Sequence, residues 1–304
     1  MKKMKLIFTA TVFFVLLLPF TLQAQTDSLL ESLESELPPK EVFEASTFKA
    51  TRLINLHTVE TLGEGILDFR VSHRFGDFSS GIQNLYGLDG PATIRIGFDY
   101  AVSDRLMIGG GRTSYAKMYD VFLKYKLLRQ TVGNAMPITV TWLSSANITT
   151  VNDPLKALGV DNLTARLAYF HELMIARKMG EKLSLQIAPI FVHYNVVKQT
   201  DRNNLFAVAF SGRYKISRSM AITGEYALRA INYKTDLSGY TNSAGVGFSL
   251  ETGGHVFQVF VSNSFAINQV QVVPHTTSSW KKGQIRLGFN ISRVFALKRK
   301  TTWE

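Results

Sequence analysis

The sequence contains no cysteine, which excludes disulfide bonds and thiolate metal sites. Beyond residue 24 it also lacks any apolar run near the roughly 20 residues that a transmembrane helix requires. These absences leave three classes of protein: a soluble periplasmic protein, a secreted protein, or a β-barrel of the outer membrane. Mean hydropathy does not separate the three classes, because the polar lumen of a membrane barrel offsets its apolar exterior.

The amino terminus has the three parts of a secretory signal peptide. A basic start is followed by an apolar run from Leu6 to Phe20, and then by "TLQAQ". Because this run is shorter than a membrane span, we predict a signal peptide over residues 1–24, with cleavage after Ala24. A retained amino-terminal anchor is the alternative.

The charge of the chain is strongly basic, with a formal net charge of +11. An exported protein seldom meets nucleic acid, so we predict no nucleic-acid partner. Outer-membrane lipid and small anionic solutes are the partners that a basic exported protein favours.

An acidic extension over residues 25–49 differs from everything after it. Its segment "TDSLLESLESELPPKEVFEA" has leucines at helical spacing, and Pro38-Pro39 ends the pattern. We predict a short acidic helix and linker that supply no barrel strand. The segment is either a solvated periplasmic tail or an acidic plug that enters a basic lumen.

From Ile66 onward the pattern has a period of two residues, which is typical of strands. In "TIRIGFDY", for example, apolar residues occupy one face and polar residues or glycine the other. Twelve such segments are predicted, over residues 66–75, 92–102, 105–113, 119–128, 137–147, 162–176, 183–195, 205–216, 220–230, 242–251, 255–264 and 284–292.

The connections between these segments alternate between short and mostly longer ones, as in bacterial outer-membrane barrels. We therefore predict an all-β fold, an antiparallel transmembrane β-barrel of about 12 strands over residues 50–296 in the cell outer membrane. A basic tail follows over residues 297–304. The alternative is a secreted β protein of several sheets.

The opening of the barrel region carries a resemblance to a known family. "TRLIN" and "HTVE" precede a later "HRFG" within Thr51–Asp77. With the strand pattern, this segment resembles a Gram-negative outer-membrane β-barrel family of unknown function. The resemblance implies a barrel and assigns no activity. The aromatic residue that commonly ends such barrels is either Phe295 or Trp303.

No catalytic constellation is evident in the sequence. Ser72 and His73 are adjacent in a strand and therefore point to opposite faces, as do His171 and Glu172. "IGGGRTS" lacks the Lys-Ser/Thr of a phosphate loop, and its glycines instead predict close approach of another segment to the wall. We predict no enzyme, metal or cofactor, with a lipid-modifying enzyme as an alternative.

The charged residues on the polar face of the strands are the candidate functional residues. The basic members are Arg70, Arg74, Arg95, Arg112, Lys124, Lys126, Arg166, Arg213, Lys215, Arg229 and Arg286. The acidic members are Asp68, Asp99, Asp120, Glu172, Glu225 and Glu251. Arg95 and Asp99 are a predicted ion pair. The excess of bases predicts a passage or binding site for small, including anionic, solutes. A closed structural or partner-docking barrel is the alternative.

Overall fold

The structure is a computed structural model that describes residues 42–151, 159, 162–197, 199, 201–231 and 239–298. Internal contacts divide the chain into two units, Met1–Val42 and Phe43–Glu304. The predicted signal peptide, the acidic helix before Pro38-Pro39 and Trp303 lie outside the described residues. All of the strands belong to the second unit.

Twelve antiparallel strands form a closed barrel, as the sequence pattern predicts. The strands are β1 Ile66–Arg74, β2 Thr93–Ala101, β3 Leu106–Thr113, β4 Met118–Leu128, β5 Thr139–Thr149, β6 Leu167–Met179, β7 Leu183–Tyr194, β8 Asn204–Lys215, β9 Met220–Ile231, β10 Ser243–Thr252, β11 His255–Ser262 and β12 Arg286–Ala296. Each strand pairs with its neighbours in sequence, and β1 pairs with β12 to close the ring. Closure removes the free edges that an open sheet would expose to lipid.

One α-helix, α1 Gln269–His275, lies in the connection between β11 and β12. Among the described residues, no helix has the length and apolar content needed to cross a membrane.

The two ends of the barrel differ in the length of their connections. The short connections, such as residues 102–105 and 253–254, lie at the end where the chain enters β1 and leaves β12. The long connections, including residues 75–92 and 263–285, lie at the other end. Outer-membrane barrels have short periplasmic turns and long extracellular loops, which assigns the two ends.

The outer face of the barrel is apolar. In β2, the outward Ile96 and Phe98 are 45% and 51% exposed, whereas the inward Arg95 and Asp99 are buried. Val121 on β4 is 64% exposed on the same outer face. Exposed apolar side chains that alternate with buried charged ones are favourable when the outer face contacts lipid.

The barrel wall begins at Ile66, where the predicted alternation of the strands also begins. The chain turns into the wall at Gly65, whose positive φ of 74° favours glycine. The Gly65 amide donates a hydrogen bond to the Ala101 carbonyl, and its carbonyl accepts one from the Leu297 amide. This turn separates the wall from residues 47–62, which lie inside the barrel.

Candidate functional site

Residues 47–62, here called the plug segment, fill the interior of the barrel. Phe48, Leu53, Leu56 and Val59 of this segment are at most 2% exposed. The segment forms no regular strand or helix, and its hydrogen-bond partners lie on strands all around the ring. A buried irregular segment must find partners for its own amides and carbonyls, and the wall supplies them.

Glu225 on β9 provides the most concentrated contact with the plug segment. Its carboxylate accepts hydrogen bonds from the backbone amides of Ile54, Asn55 and Leu56, at 3.2, 2.9 and 3.1 Å. The Asn55 side-chain amide donates a further bond of 2.7 Å. One buried carboxylate therefore binds three consecutive amides of the plug segment, and charge-assisted bonds of this kind are among the stronger ones.

A basic side chain holds the same turn of the plug segment. Arg74 on β1 donates from Nη2 to the Ile54 carbonyl and to the Asn55 side-chain oxygen, at 3.0 Å each. The Asn290 side-chain amide on β12 also donates to the Ile54 carbonyl at 3.0 Å. The acidic Glu225 on β9 thus binds the donors of this turn, and the basic Arg74 on β1 binds its acceptors.

Uncharged wall side chains bind the main chain on either side of this turn. Gln186 on β7 donates to the His57 carbonyl at 2.8 Å and accepts from the Val59 amide at 2.9 Å. Thr141 on β5 donates to the Val59 carbonyl at 2.7 Å, and Gln258 on β11 donates to the Arg52 carbonyl at 3.0 Å. The wall therefore recognises the backbone of the plug segment along most of its length.

The predicted ion pair between Arg95 and Asp99 is wrong. Arg95 instead binds Asp120 of β4, with Nε donating at 3.0 Å. Asp99 accepts a hydrogen bond from Thr51 of the plug segment at 3.3 Å and lies 3.8 Å from the Arg52 guanidinium. Residues four apart on one strand are about 13 Å apart, whereas β2 and β4, which are separated only by β3, are about 10 Å apart, so the contact across strands is the shorter one.

The glycines of "IGGGRTS" make the Arg95 contact possible. A Cβ at Gly111 of this motif would lie 2.7 Å from the Arg95 guanidinium, and one at Gly97 of β2 would lie 2.5 Å from it. A Cβ at Gly109 would overlap the Phe122 ring. Arg95 of β2 thus covers Gly111 and Phe122 of β4 covers Gly109, in keeping with the predicted close approach of another segment to the wall.

The interior of the barrel has an apolar half that sequence reasoning missed. Its inward wall residues are Leu143, Ala168, Phe170, Met174, Ala176, Ala188, Ile190, Val192, Leu205, Ala207, Ala209 and Ala227. They form one buried cluster with the apolar side chains of the plug segment. The signal was available in β7, where "IAPIFV" is apolar at inward and outward positions alike. A strand that is apolar on both faces has no water on either side.

The extracellular connection between β11 and β12 folds into the barrel and contacts the plug segment. Asn268 caps α1 by accepting from the Val270 amide at 3.1 Å, and its side-chain amide donates to Asp120 at 3.1 Å. Gln269 donates to the Asn55 carbonyl at 2.8 Å. The lumen is therefore occupied from both ends.

The structure places most of the predicted lumenal charges inside the barrel. The buried members are Asp68, Arg70, Arg74, Arg95, Asp99, Asp120, Lys124, Glu172, Arg213 and Glu225. Lys126, Arg229 and Arg286 are half-buried at inward strand positions near the barrel ends. Arg166 lies in a single 3-10 turn, Thr164–Arg166, just before β6.

Arg112 lies on the outer face, contrary to prediction. It is exposed, and its guanidinium lies 5.6 Å from the centre of the outward Tyr119 ring. Three consecutive glycines precede it in β3, so no side chain marks which face is apolar. The inward position is taken instead by the buried Thr113.

His57 of the plug segment is buried among cations. Its Nε2 accepts a hydrogen bond from the Arg52 Nε at 3.1 Å. Burial lowers the pKa of His57 well below 6.5, and the nearby charges of Arg52 and Lys124 lower it further. The imidazole is therefore neutral at neutral pH, with Nε2 as the acceptor.

One serine–histidine contact occurs on the outer face, between the cross-strand partners Ser144 and His171. Their Oγ and Nδ1 atoms are 2.9 Å apart. Within the part of the chain that the structure describes, no carboxylate or amide binds the other ring nitrogen, as a hydrolase triad would require. The same residues contain no group of three or more acidic or histidine side chains arranged to hold a metal ion.

Solved structures similar to this chain are membrane barrels, whereas a search of curated proteins finds no match. A KdgM porin is 10% identical, with a TM-score of 0.47, and the alignment covers 76% of this chain and 99% of the porin. The COG4313 outer membrane channel from Pseudomonas putida F1 is 14% identical, with a TM-score of 0.46, covering 78% of this chain and 98% of the channel.

The family comparison agrees with the closed ring of strands and its apolar outer face. The family described as "Membrane bound beta barrel domain (DUF5777)" matches residues 48–295, which span all but the first residue of the plug segment and all but the last residue of the wall. An even-stranded antiparallel barrel of this kind is the outer-membrane architecture. The chain therefore belongs to this family and is a membrane-bound β-barrel of the outer membrane.

Proposed function

We propose that the protein is a channel for small, including anionic, solutes, and that the plug segment closes its passage when it is seated in the lumen. The observation that carries the proposal is the polar half of the lumen. There, charged wall side chains bind the backbone of an irregular segment, and displacement of that segment would leave a charged passage. The proposal is one of passive passage and not of catalysis.

Two cavities at the periplasmic end support access to the plug segment. One, of 430 Å³, lies between Phe48 and Lys49 of the plug segment and wall residues that include Arg70 and Glu251. The other, of 300 Å³, is lined by polar residues that include Glu60 and Lys126. Both adjoin the plug segment on the side from which the chain enters the barrel.

The preference for anions follows from the inward charges of the strands. The bases at inward strand positions are Arg70, Arg74, Arg95, Lys124, Lys126, Lys178, Arg213, Lys215, Arg229 and Arg286. The acids at such positions are Asp68, Asp99, Asp120, Glu172, Glu225 and Glu251. Bases outnumber acids, and the low-dielectric surroundings strengthen the positive potential that results.

A reversible cross-link tests whether the plug segment controls conduction. The chain has no cysteine of its own, so Val59→Cys with Thr141→Cys creates a unique pair beside an existing hydrogen bond. Bridged by a short bis-thiosulfonate reagent in a planar bilayer, this variant should not conduct, and reduction should restore current. Thr141→Cys alone, treated identically, is the control.

A variant lacking residues 47–62 should conduct and should prefer chloride to potassium in a salt gradient.

The apolar half of the lumen favours a second function, that of a closed structural or partner-docking barrel. Its buried cluster packs the plug segment as a soluble core would. No conductance in folded protein lacking residues 47–62 would support this second function and contradict the first. Cation preference would contradict the assignment of the inward charges to the passage.

A further inference from the structure

An apolar groove of 680 Å³ runs along the outer face of β6 to β9. Leu185, Ile187, Phe210 and Tyr226 line it, and each is about two-fifths exposed. The groove exists because β8 and β9 present glycine where their neighbours present large side chains. In a membrane-bound barrel this surface faces acyl chains.

The floor of the groove is a pair of glycines. Gly212 and Gly224 lie directly opposite each other across the β8–β9 ladder, on the outward face. A Cβ at Gly224 would have its nearest neighbour, the Gly245 carbonyl oxygen, at 3.8 Å. Neither glycine has a positive φ. Backbone conformation therefore does not require them, and their effect is to leave space on the lipid face.

One cation lies at the rim of the groove. The cross-strand register places Arg177 of β6 opposite Leu185, and Leu185 opposite Gly212, in one row. Arg177 is two residues from the end of β6 at a short turn, which is the periplasmic boundary of the membrane. Its guanidinium lies 3.4 Å from the Asn134 side-chain oxygen, and among the described residues no acidic side chain pairs with it.

We propose that the groove binds one phospholipid of the periplasmic leaflet, with an acyl chain over Gly212 and Gly224 and the phosphate on Arg177. A guanidinium at the headgroup level, with no acidic partner among the described residues, matches a phosphate in charge and geometry. The groove that Arg177 borders has the apolar lining that an acyl chain requires. A second copy of this chain fits less well, because the lining offers no outward acid to meet Arg177. The proposal does not depend on conduction through the lumen.

The test measures phospholipid retention by native mass spectrometry of protein released from nanodiscs of phosphatidylglycerol and phosphatidylethanolamine. Gly224→Phe fills the groove, and Val259→Phe adds the same side chain at an exposed outward position of β11, away from it. The wild-type protein and Val259→Phe should each retain one phospholipid. Gly224→Phe should lower that occupancy at least tenfold. Equal retention in all three proteins would overturn the proposal.

A charge variant covers the possibility that Gly224→Phe fails to fold. Arg177→Gln leaves the groove intact and should lower phospholipid occupancy at least threefold. Arg112→Gln, which removes an outward arginine from the extracellular side of the barrel, should leave it unchanged. A wild-type dimer that becomes monomeric in Gly224→Phe would show that a second copy fills the groove, and would overturn the proposal.

Discussion

Glu225 on β9 binds Asn55 of the plug segment three times. Its two carboxylate oxygens accept from the Asn55 backbone amide at 3.0 and 2.9 Å and from the Asn55 side chain at 2.7 Å. These residues are 170 positions apart in the chain, and their contact joins the plug segment to the wall. We expect the strength of this contact to govern how readily the plug segment leaves the lumen.

Glu225→Gln should loosen the plug segment, because it replaces a charged acceptor of several amide bonds by a neutral one. We expect a loss of about 2 kcal/mol in plug retention and more frequent channel openings. Glu172→Gln is the matched control, since Glu172 is equally buried but neither of its carboxylate oxygens has a hydrogen-bond partner among the described residues. Equal effects of the two substitutions on single-channel recordings would show that Glu225 does not anchor the plug segment.

Gly111→Ala should separate Arg95 from Asp120, because the new methyl group would lie 2.7 Å from the guanidinium. We expect the free energy of unfolding in lipid to fall by about 1–3 kcal/mol. Gly133→Ala is the control, because a Cβ there meets no atom within 4 Å. If both variants unfold at the same urea concentration, the glycine does not make room for Arg95.

Phe98→Arg should destabilise the barrel by about 2–4 kcal/mol, because it places a charge near the middle of the bilayer. Val102→Arg lies on the same face at the periplasmic turn, where the cost should be about 0–1 kcal/mol. Unfolding titrations of both variants in phospholipid vesicles measure the difference. Costs that do not depend on position would contradict the orientation of β2 in the membrane.

Acidification should release the plug segment through His57. Its pKa is lowered in the folded protein, so the unfolded or displaced segment binds a proton that the packed segment does not. The retention of the plug segment is therefore full above about pH 6.5 and decreases as the pH falls below that value. Protonation would also remove the acceptor for the Arg52 Nε.

The measurement for His57 is channel opening between about pH 7.5 and 5.5, the range that brackets the ordinary histidine pKa. His57→Gln keeps a polar side chain and cannot titrate, so its opening should depend less on pH than that of the wild-type protein. An identical pH dependence in both proteins would assign the effect to other groups.

The wall could be predicted from the sequence because its signal is local. Alternation such as that around Phe98 needs only neighbouring residues, and most of the twelve strands carry it. The plug segment could not be predicted, because Asn55 and Val59 find their partners 170 and 127 residues away. The prediction placed Arg112 on the wrong face for a different reason, because the glycines before it carry no side chain from which to judge the face of the strand.

The linker between the plug segment and the wall is very short. Only residues 63–65 separate the plug segment from β1, and three residues span at most about 11 Å. A displaced plug segment therefore stays close to its binding site, at an effective concentration in the millimolar range. Recapture is then a reaction within one molecule and is independent of protein concentration. Current through the protein should occur in brief bursts, each of which ends when the tethered plug segment rebinds. Dilution of the protein should not lengthen these bursts.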